Sequence, residues 1–215
     1  YAVEDVQAKR QAKIVQEEFE KGKDYIIATE YARLVVEELM NELKARKLVD
    51  AIEKELSVYG NFNLAREYVR LTMIEKLDPE KARDRIDTIK ELMDQGHEFY
   101  YASEYARLEM CSETDTFQVK GRARVYEQEM KHGRNSNYAT IYSYEVVECK
   151  EPDIVASTIA RIFDIKKRMG YSYQYSLCFA ETIVKERKDE YAASRNAEIY
   201  EEQLGHGNSQ VYSRY

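Results

Sequence analysis

The residues able to do chemistry in this 215-residue chain are scattered where a catalyst would need them gathered. Each of its three histidines sits beside a glycine. His132 and His206 read as helix-end residues, where an imidazole meets orphan carbonyls and the negative pole of the helix dipole, and His97 reads as a solvated turn residue. The three cysteines, Cys111, Cys149 and Cys178, have no ligand-like spacing and suit a reducing, intracellular compartment. Carboxylate pairs such as Glu17-Glu18, Glu37-Glu38 and Glu201-Glu202 could do acid–base or metal work, but a Glu-rich exposed helix face produces them freely. No EF-hand loop, phosphate-binding loop, HExxH or GxSxG motif occurs. Catalysis needs unlike groups converging on one place, whereas this chain repeats like groups at many places. The expectation is no enzyme, no cofactor and no bound metal.

What repeats is aromatic. Gly96, Gly133, Gly170 and Gly207 are spaced by 37 residues, Gly22 is on the same phase, and Gly60 is displaced by one, with Tyr59 in its place. Nine residues after each phase position comes a ring: Tyr31, Tyr68, Tyr105, Tyr142 and Phe179. Four residues before Tyr105, Tyr142 and Phe179 stand Tyr101, Tyr138 and Tyr175, and Tyr212 falls on the same phase. Small residues flank them, as Ala28, Ala65, Ala102, Ala139 and Ser176 on one side and Ala32, Val69, Ala106, Ser143 and Ala180 on the other. Such self-similarity is the mark of a repeat array, in which each unit contacts its neighbours and length is a copy number.

The elements that must hold these rings are helices. Glycine tolerates the left-handed conformation that ends a helix, and Asp24, Asn63, Ser136, Ser172 and Ser209 follow each glycine as candidate starts for the next. A second break falls ten or eleven residues after the ring, at Asp78-Pro79-Glu80 and Glu151-Pro152-Asp153, with Thr114-Asp115-Thr116 and Asp189 at the same phase. At Asn41-Glu42 the break signal is weak, and helices there are expected to run together. Each unit is thus read as two helices of roughly four turns. The second helix has its own stripe, Ala82/Ile86/Ile89/Met93, matched by Ala45/Val49/Ile52/Leu56, Ala156/Ala160/Phe163 and Ala193/Ala197/Tyr200/Leu204. Its anchors are Ile52, Ile89, Tyr126, Phe163 and Tyr200. Alanines four residues apart let helix backbones approach and leave room for a ring from the next helix. Arg33, Arg70 and Arg107, two residues after the rings, read as solvated or intra-repeat ion-pair partners; Tyr59, Tyr100, Tyr144 and Tyr171, off the stripe, read as contacts with something else.

The fold expected is all-α: tandem 37-residue helix-turn-helix repeats forming an α-solenoid or an extended helical rod, one array over residues 1–215 with breaks near 22, 60, 96, 133, 170 and 207. It reads as a fragment of a longer array. Charged residues are 34% of the chain, interleaved in sign with a net charge of −7, so no basic stripe for nucleic acid is present. No apolar run approaches the ~20 residues that span a bilayer.

The unit Tyr101-Ala102-Ser103-Glu104-Tyr105-Ala106, followed by a helix such as Ala197-Glu198-Ile199-Tyr200-Glu201 and then glycine, is similar in style to the helical repeats of giant backbone proteins in ciliate contractile fibres. Those proteins bind spasmins, EF-hand proteins of the centrin and calmodulin class. The resemblance implies a cytoplasmic, cytoskeletal backbone carrying several EF-hand calcium-binding partners per chain, with the aromatic stripe as their ligand and calcium changing the rod's length. The competing expectation is a self-contained α-solenoid that hides the stripe and serves as a protein-interaction scaffold.

Overall fold

A computed structural model describes residues 2–110 and 115–205. Cys111, Thr114, His206, Gly207, Ser209 and Tyr212, singled out above, lie outside the described residues. Helices make up 80% of the described residues, and no strand occurs among them. The helices of the first type, which carry the ring phase, are α2 (Tyr25–Val36), α4 (Phe62–Val69, continued by a π-helical turn Arg70–Ile74), α6 (Phe99–Glu109), α8 (Ser136–Val147) and α10 (Tyr173–Val184). The second helices are α1 (Ala2–Glu20), α3 (Glu42–Tyr59), α5 (Pro79–Asp94), α7 (Thr116–Lys131), α9 (Asp153–Arg168) and α11 (Glu190–Gly205). The first type has three turns, one fewer than expected, and the second has four to five.

Contacts divide the chain into two compact units, Tyr1–Lys90 and Glu91–Tyr215. In the first, α1 packs on α2, α2 on α3 and α3 on α4; in the second, each helix from α6 to α11 packs on the next. The first unit's core joins Ile27, Tyr31, Leu34 and Val35 of α2 to Ala45, Leu48, Val49 and Ile52 of α3 and to Ala65 and Val69 of α4. The second has an equivalent cluster of Ile141, Ile159, Ala160, Phe163, Leu177 and Ala180, and another of Tyr175 and Phe179 against Ala193 and Ala197. Small residues on the second helices thus receive large ones from the first, and the buried apolar area holds helices that would be marginal alone.

Chain breaks follow the repeat more closely than the glycines do. At Gly22, Gly96, Gly133 and Gly170 the next residue's N–H reaches back to the carbonyl five residues earlier, as in Lys23 to Glu18 and Tyr171 to Lys166, which is the Schellman closure. Gly60, displaced by one, uses the alternative single bond from its own N–H to Leu56. The slip in sequence is therefore a change of helix-stop motif. The second break has its own left-handed residue, Leu39, Lys76, Lys150 and Arg187, at φ of 50°, 60°, 57° and 54°. These fall on the 37-residue period without a glycine to announce them. The N–H that follows each one bonds the carbonyl six residues back, as from Met40 to Leu34 and from Glu151 to Glu145.

Three sequence assignments of helix starts are corrected. Asn41 is a working cap whose side chain accepts from the Lys44 N–H, so α2 and α3 do not run together. The cap of α4 is Asn61, and Asn63 is one of the two residues whose N–H it accepts. The cap of α8 is Asn135, with Ser136 already inside the helix. In each case the capping oxygen must stand one residue before the first helical residue, on extended backbone.

Candidate functional site

The aromatic anchors turn inward. Tyr31, Tyr68, Tyr101, Tyr175 and Phe179 are buried, as are Ile52, Ile89 and Phe163 of the second helices. Tyr105, Tyr126, Tyr138, Tyr142 and Tyr200 are half-buried, so Tyr105 departs from the full burial that its phase suggested. Hydroxyls of both sets find polar partners: half-buried Tyr142 donates to the Asp153 carboxylate, and buried Tyr175 bonds Ser194 at 3.3 Å. Hydrogen bonding to Asp153, then burial, pushes the Tyr142 hydroxyl well above the ordinary phenol range. Rings four residues apart stack along one helix: Tyr101 on Tyr105, Tyr138 on Tyr142 and Tyr175 on Phe179, with centroids 6.0, 5.8 and 6.1 Å apart. Cations cover several of them, Arg46 at 4.0 Å from the Tyr31 centroid and Lys166 at 3.9 Å from Phe179.

The tyrosines read from sequence as outward contacts are mostly engaged within the chain. Tyr59 packs on Tyr68, Tyr144 lies under Arg122, Tyr171 stacks on Tyr175 and Tyr100 meets Phe99 edge-on, with Tyr100 and Tyr171 remaining exposed. His97 is exposed in the turn before α6, as expected, and its ring also stacks on Tyr101 at 4.3 Å. His132 is exposed, with Nδ1 3.6 Å from Glu129.

Beneath the rings runs a feature that sequence reading missed. One residue before each of the first three anchors is a buried glutamate, Glu30, Glu67 and Glu104. Arg33, Arg70 and Arg107 clasp them through two bonds of 2.7 and 2.8 Å each, which settles these arginines as intra-repeat partners. Buried Arg85 and Arg122 approach from the next helix, at 3.3 Å from Glu67 and 3.9 Å from Glu104. Glu18 is held likewise by Arg46 at 2.5 and 2.8 Å, and that bond brings its carboxyl down to about 2 against the opposing effect of burial. The signal existed in the sequence as a 37-residue recurrence of Glu followed by Arg three residues on.

The later copies depart from it. Ile141 and Cys178 occupy the glutamate phase, while Glu145 stands fully buried where Leu34, Leu71 and Leu108 occur earlier. Lys185 Nζ lies 2.9 Å from a Glu145 oxygen and also meets Glu181 at 2.9 Å and Glu151 at 3.6 Å. Burial pushes the Glu145 carboxyl up, and Lys185 acts against it. Burial also raises the Cys149 and Cys178 thiols, which keeps them protonated and poorly nucleophilic. Among the described residues no group of three or more His, Cys, Asp or Glu could hold a metal ion, and no helix is long and apolar enough to cross a membrane.

What the packing leaves outside is also periodic. Leu43, Phe117, Ile154 and Tyr191 are each the second residue of a second-type helix, and they are 67, 82, 75 and 77% exposed. Val6 shares the phase at 64%, and only Glu80 replaces an apolar residue there. A large apolar side chain is thus held in solvent at the same phase in five of six copies, where it contributes little to its own core. Comparison with protein-family models, curated proteins and solved structures finds no match for this chain.

Proposed function

We propose that this chain is a non-catalytic α-solenoid scaffold for protein–protein contacts, self-supporting through its aromatic stripe and binding through the exposed residues at the starts of its second helices. One observation carries the reading: the anchor rings Tyr31, Tyr68, Tyr101, Tyr175, Phe163 and Phe179 are buried within the chain, while Leu43, Phe117, Ile154 and Tyr191 recur in solvent. Consecutive helices that bury each other's stripes support a solenoid over a rod whose helices wait for a partner.

A backbone for EF-hand proteins in a calcium-responsive fibre is the second reading, and the same exposed row bears on it. An open EF-hand groove accepts bulky apolar anchors from a helix. Tyr31, Tyr68 and Phe179 could serve only if the helices came apart, whereas Phe117, Ile154 and Tyr191 stand ready. The triple variant Phe117→Ser, Ile154→Ser, Tyr191→Ser separates surface from core. It is expected to keep the helicity of the parent and its stability within about 0.5 kcal/mol per site. Chemical cross-linking in source-cell extract, with calcium and with a chelator, is expected to give partners for the parent chain that the variant loses. An unchanged partner set contradicts the proposed surface; partners that are EF-hand proteins and vanish with the chelator favour the second reading.

A further inference from the structure

We propose that the exposed row at the starts of α7, α9 and α11 takes a second copy of this chain, docked through the basic ends of that copy's α7 and α9. The inference rests on the reading of the row as a contact surface and names its occupant.

Within the unit Glu91–Tyr215, each apolar residue of the row has exposed acids just before it: Asp115 before Phe117, Asp153 before Ile154, and Asp189 and Glu190 before Tyr191. The complementary charge lies at the other ends of the same helices. The last turn of α9 carries Lys166, Lys167 and Arg168, with exposed Ile165, Met169 and Tyr171 among them. The last turn of α7 carries Lys131, followed by His132 and Arg134, all three exposed. Some of these cations also have partners in their own chain: Arg168 pairs with Asp164, Lys131 with Glu98 and Glu127, and Lys166 lies over the Phe179 ring. Lys131 and Arg168 nevertheless keep 49 and 69% of their side-chain surface in solvent.

A helix dipole favours acids at any helix start and bases at any helix end. That general preference does not account for the basic ends, since α1, α3, α5 and α11 have no basic residue in the last turn. Nor can a chain lay these ends on its own row. Both α7 and α9 have 16 residues, so about 24 Å separates each start from its end, far beyond the reach of a side chain. A second copy supplies what the first cannot reach. Both surfaces follow the 37-residue period, so the basic ends of consecutive second-type helices meet acid-flanked starts in matching register. The contact is heterologous: each copy keeps an unused surface of either kind, and association runs on into open chains unless the rotation closes a ring. A net charge of −7 opposes approach, but at ~0.15 M salt screening acts over about 8 Å and leaves the facing charges to decide.

Sedimentation velocity of the full chain at ~0.15 M salt tests this. The weight-average coefficient is expected to climb with concentration. Two charge-reversed chains, one with Arg134→Glu and Lys167→Glu, the other with Asp115→Lys and Glu190→Lys, are each expected to self-associate at least about tenfold more weakly. Circular dichroism checks that both keep their helices. Their equimolar mixture is expected to associate again, because each supplies the charge that the other's reversed surface now needs; a variant lost to misfolding would not be rescued in this way. A parent chain that stays monomeric, reversed chains that associate like the parent, or a mixture that stays apart overturns the proposal. The row itself is judged separately. Extract partners that the Phe117→Ser, Ile154→Ser, Tyr191→Ser chain loses and the Arg134→Glu, Lys167→Glu chain keeps, with the parent monomeric, leave the row a contact surface and overturn the second copy as its occupant.

Discussion

Lys185→Met is expected to destabilise the protein by about 3–5 kcal/mol at neutral pH, and Glu145→Leu to leave its stability unchanged or to raise it by about 1–4 kcal/mol. The opposite signs follow from what each variant leaves behind. Removing the lysine strands a fully buried carboxylate whose Oε1 accepts no hydrogen bond. Removing the carboxylate puts leucine where Leu34, Leu71 and Leu108 are buried at the same phase, and Lys185 keeps Glu181 and Glu151. The pH dependence gives an independent reading. Burial raises the Glu145 carboxyl above its ordinary value, so the folded state holds that proton more tightly than the unfolded chain does and stability falls as pH rises out of the carboxylate range. Lys185 opposes this, and without it the fall is steeper. Urea midpoints of Lys185→Met should thus lie near those of the parent below pH ~4 and drop behind between pH ~4.5 and 7, whereas Glu145→Leu should lose the dependence that this site contributes. A Lys185→Met deficit that is constant with pH would assign the lysine a packing role only.

Phe163→Ala is expected to cost about 3–5 kcal/mol, and Tyr105→Ala about 1–2 kcal/mol. Phe163 is fully buried among Ile141, Ile159 and Leu177 and meets Tyr173 edge-on at 5.0 Å. Tyr105 is half-buried and rests on Tyr101 from its own helix, so truncation removes less area and opens no closed cavity. Equilibrium denaturation of the two variants checks the ordering. Equal costs would place Tyr105 in the core after all.

The repeat made the helical fold legible. Alanines and rings in register specify which faces meet, and the glycines mark where helices stop. The second break was legible at Pro79 and Pro152 but not at Asn41, because its common device is a left-handed Leu39, Lys76, Lys150 or Arg187, residue types that carry no such signal. The ring phase located the core, but the ring type alone does not set its depth, and Tyr105 and Tyr142 are half-buried where Tyr31 and Phe179 are buried. The buried glutamates were hidden by chemistry: charged residues on an array rich in Lys and Glu read as solvent-facing until the arginines that clasp them are seen. The exposed row was hidden for the converse reason, since Phe117 and Ile154 look like core residues in any hydropathy pattern.

Self-sufficiency is the central claim, and denaturation of the isolated chain by urea, with no partner and no calcium, tests it most directly. Strong far-ultraviolet helicity is expected at the outset, lost in a concerted transition as packed helices release one another. Low helicity that a partner protein restores, or a shallow loss without a transition, would contradict it and return the aromatic stripe to the partner's side.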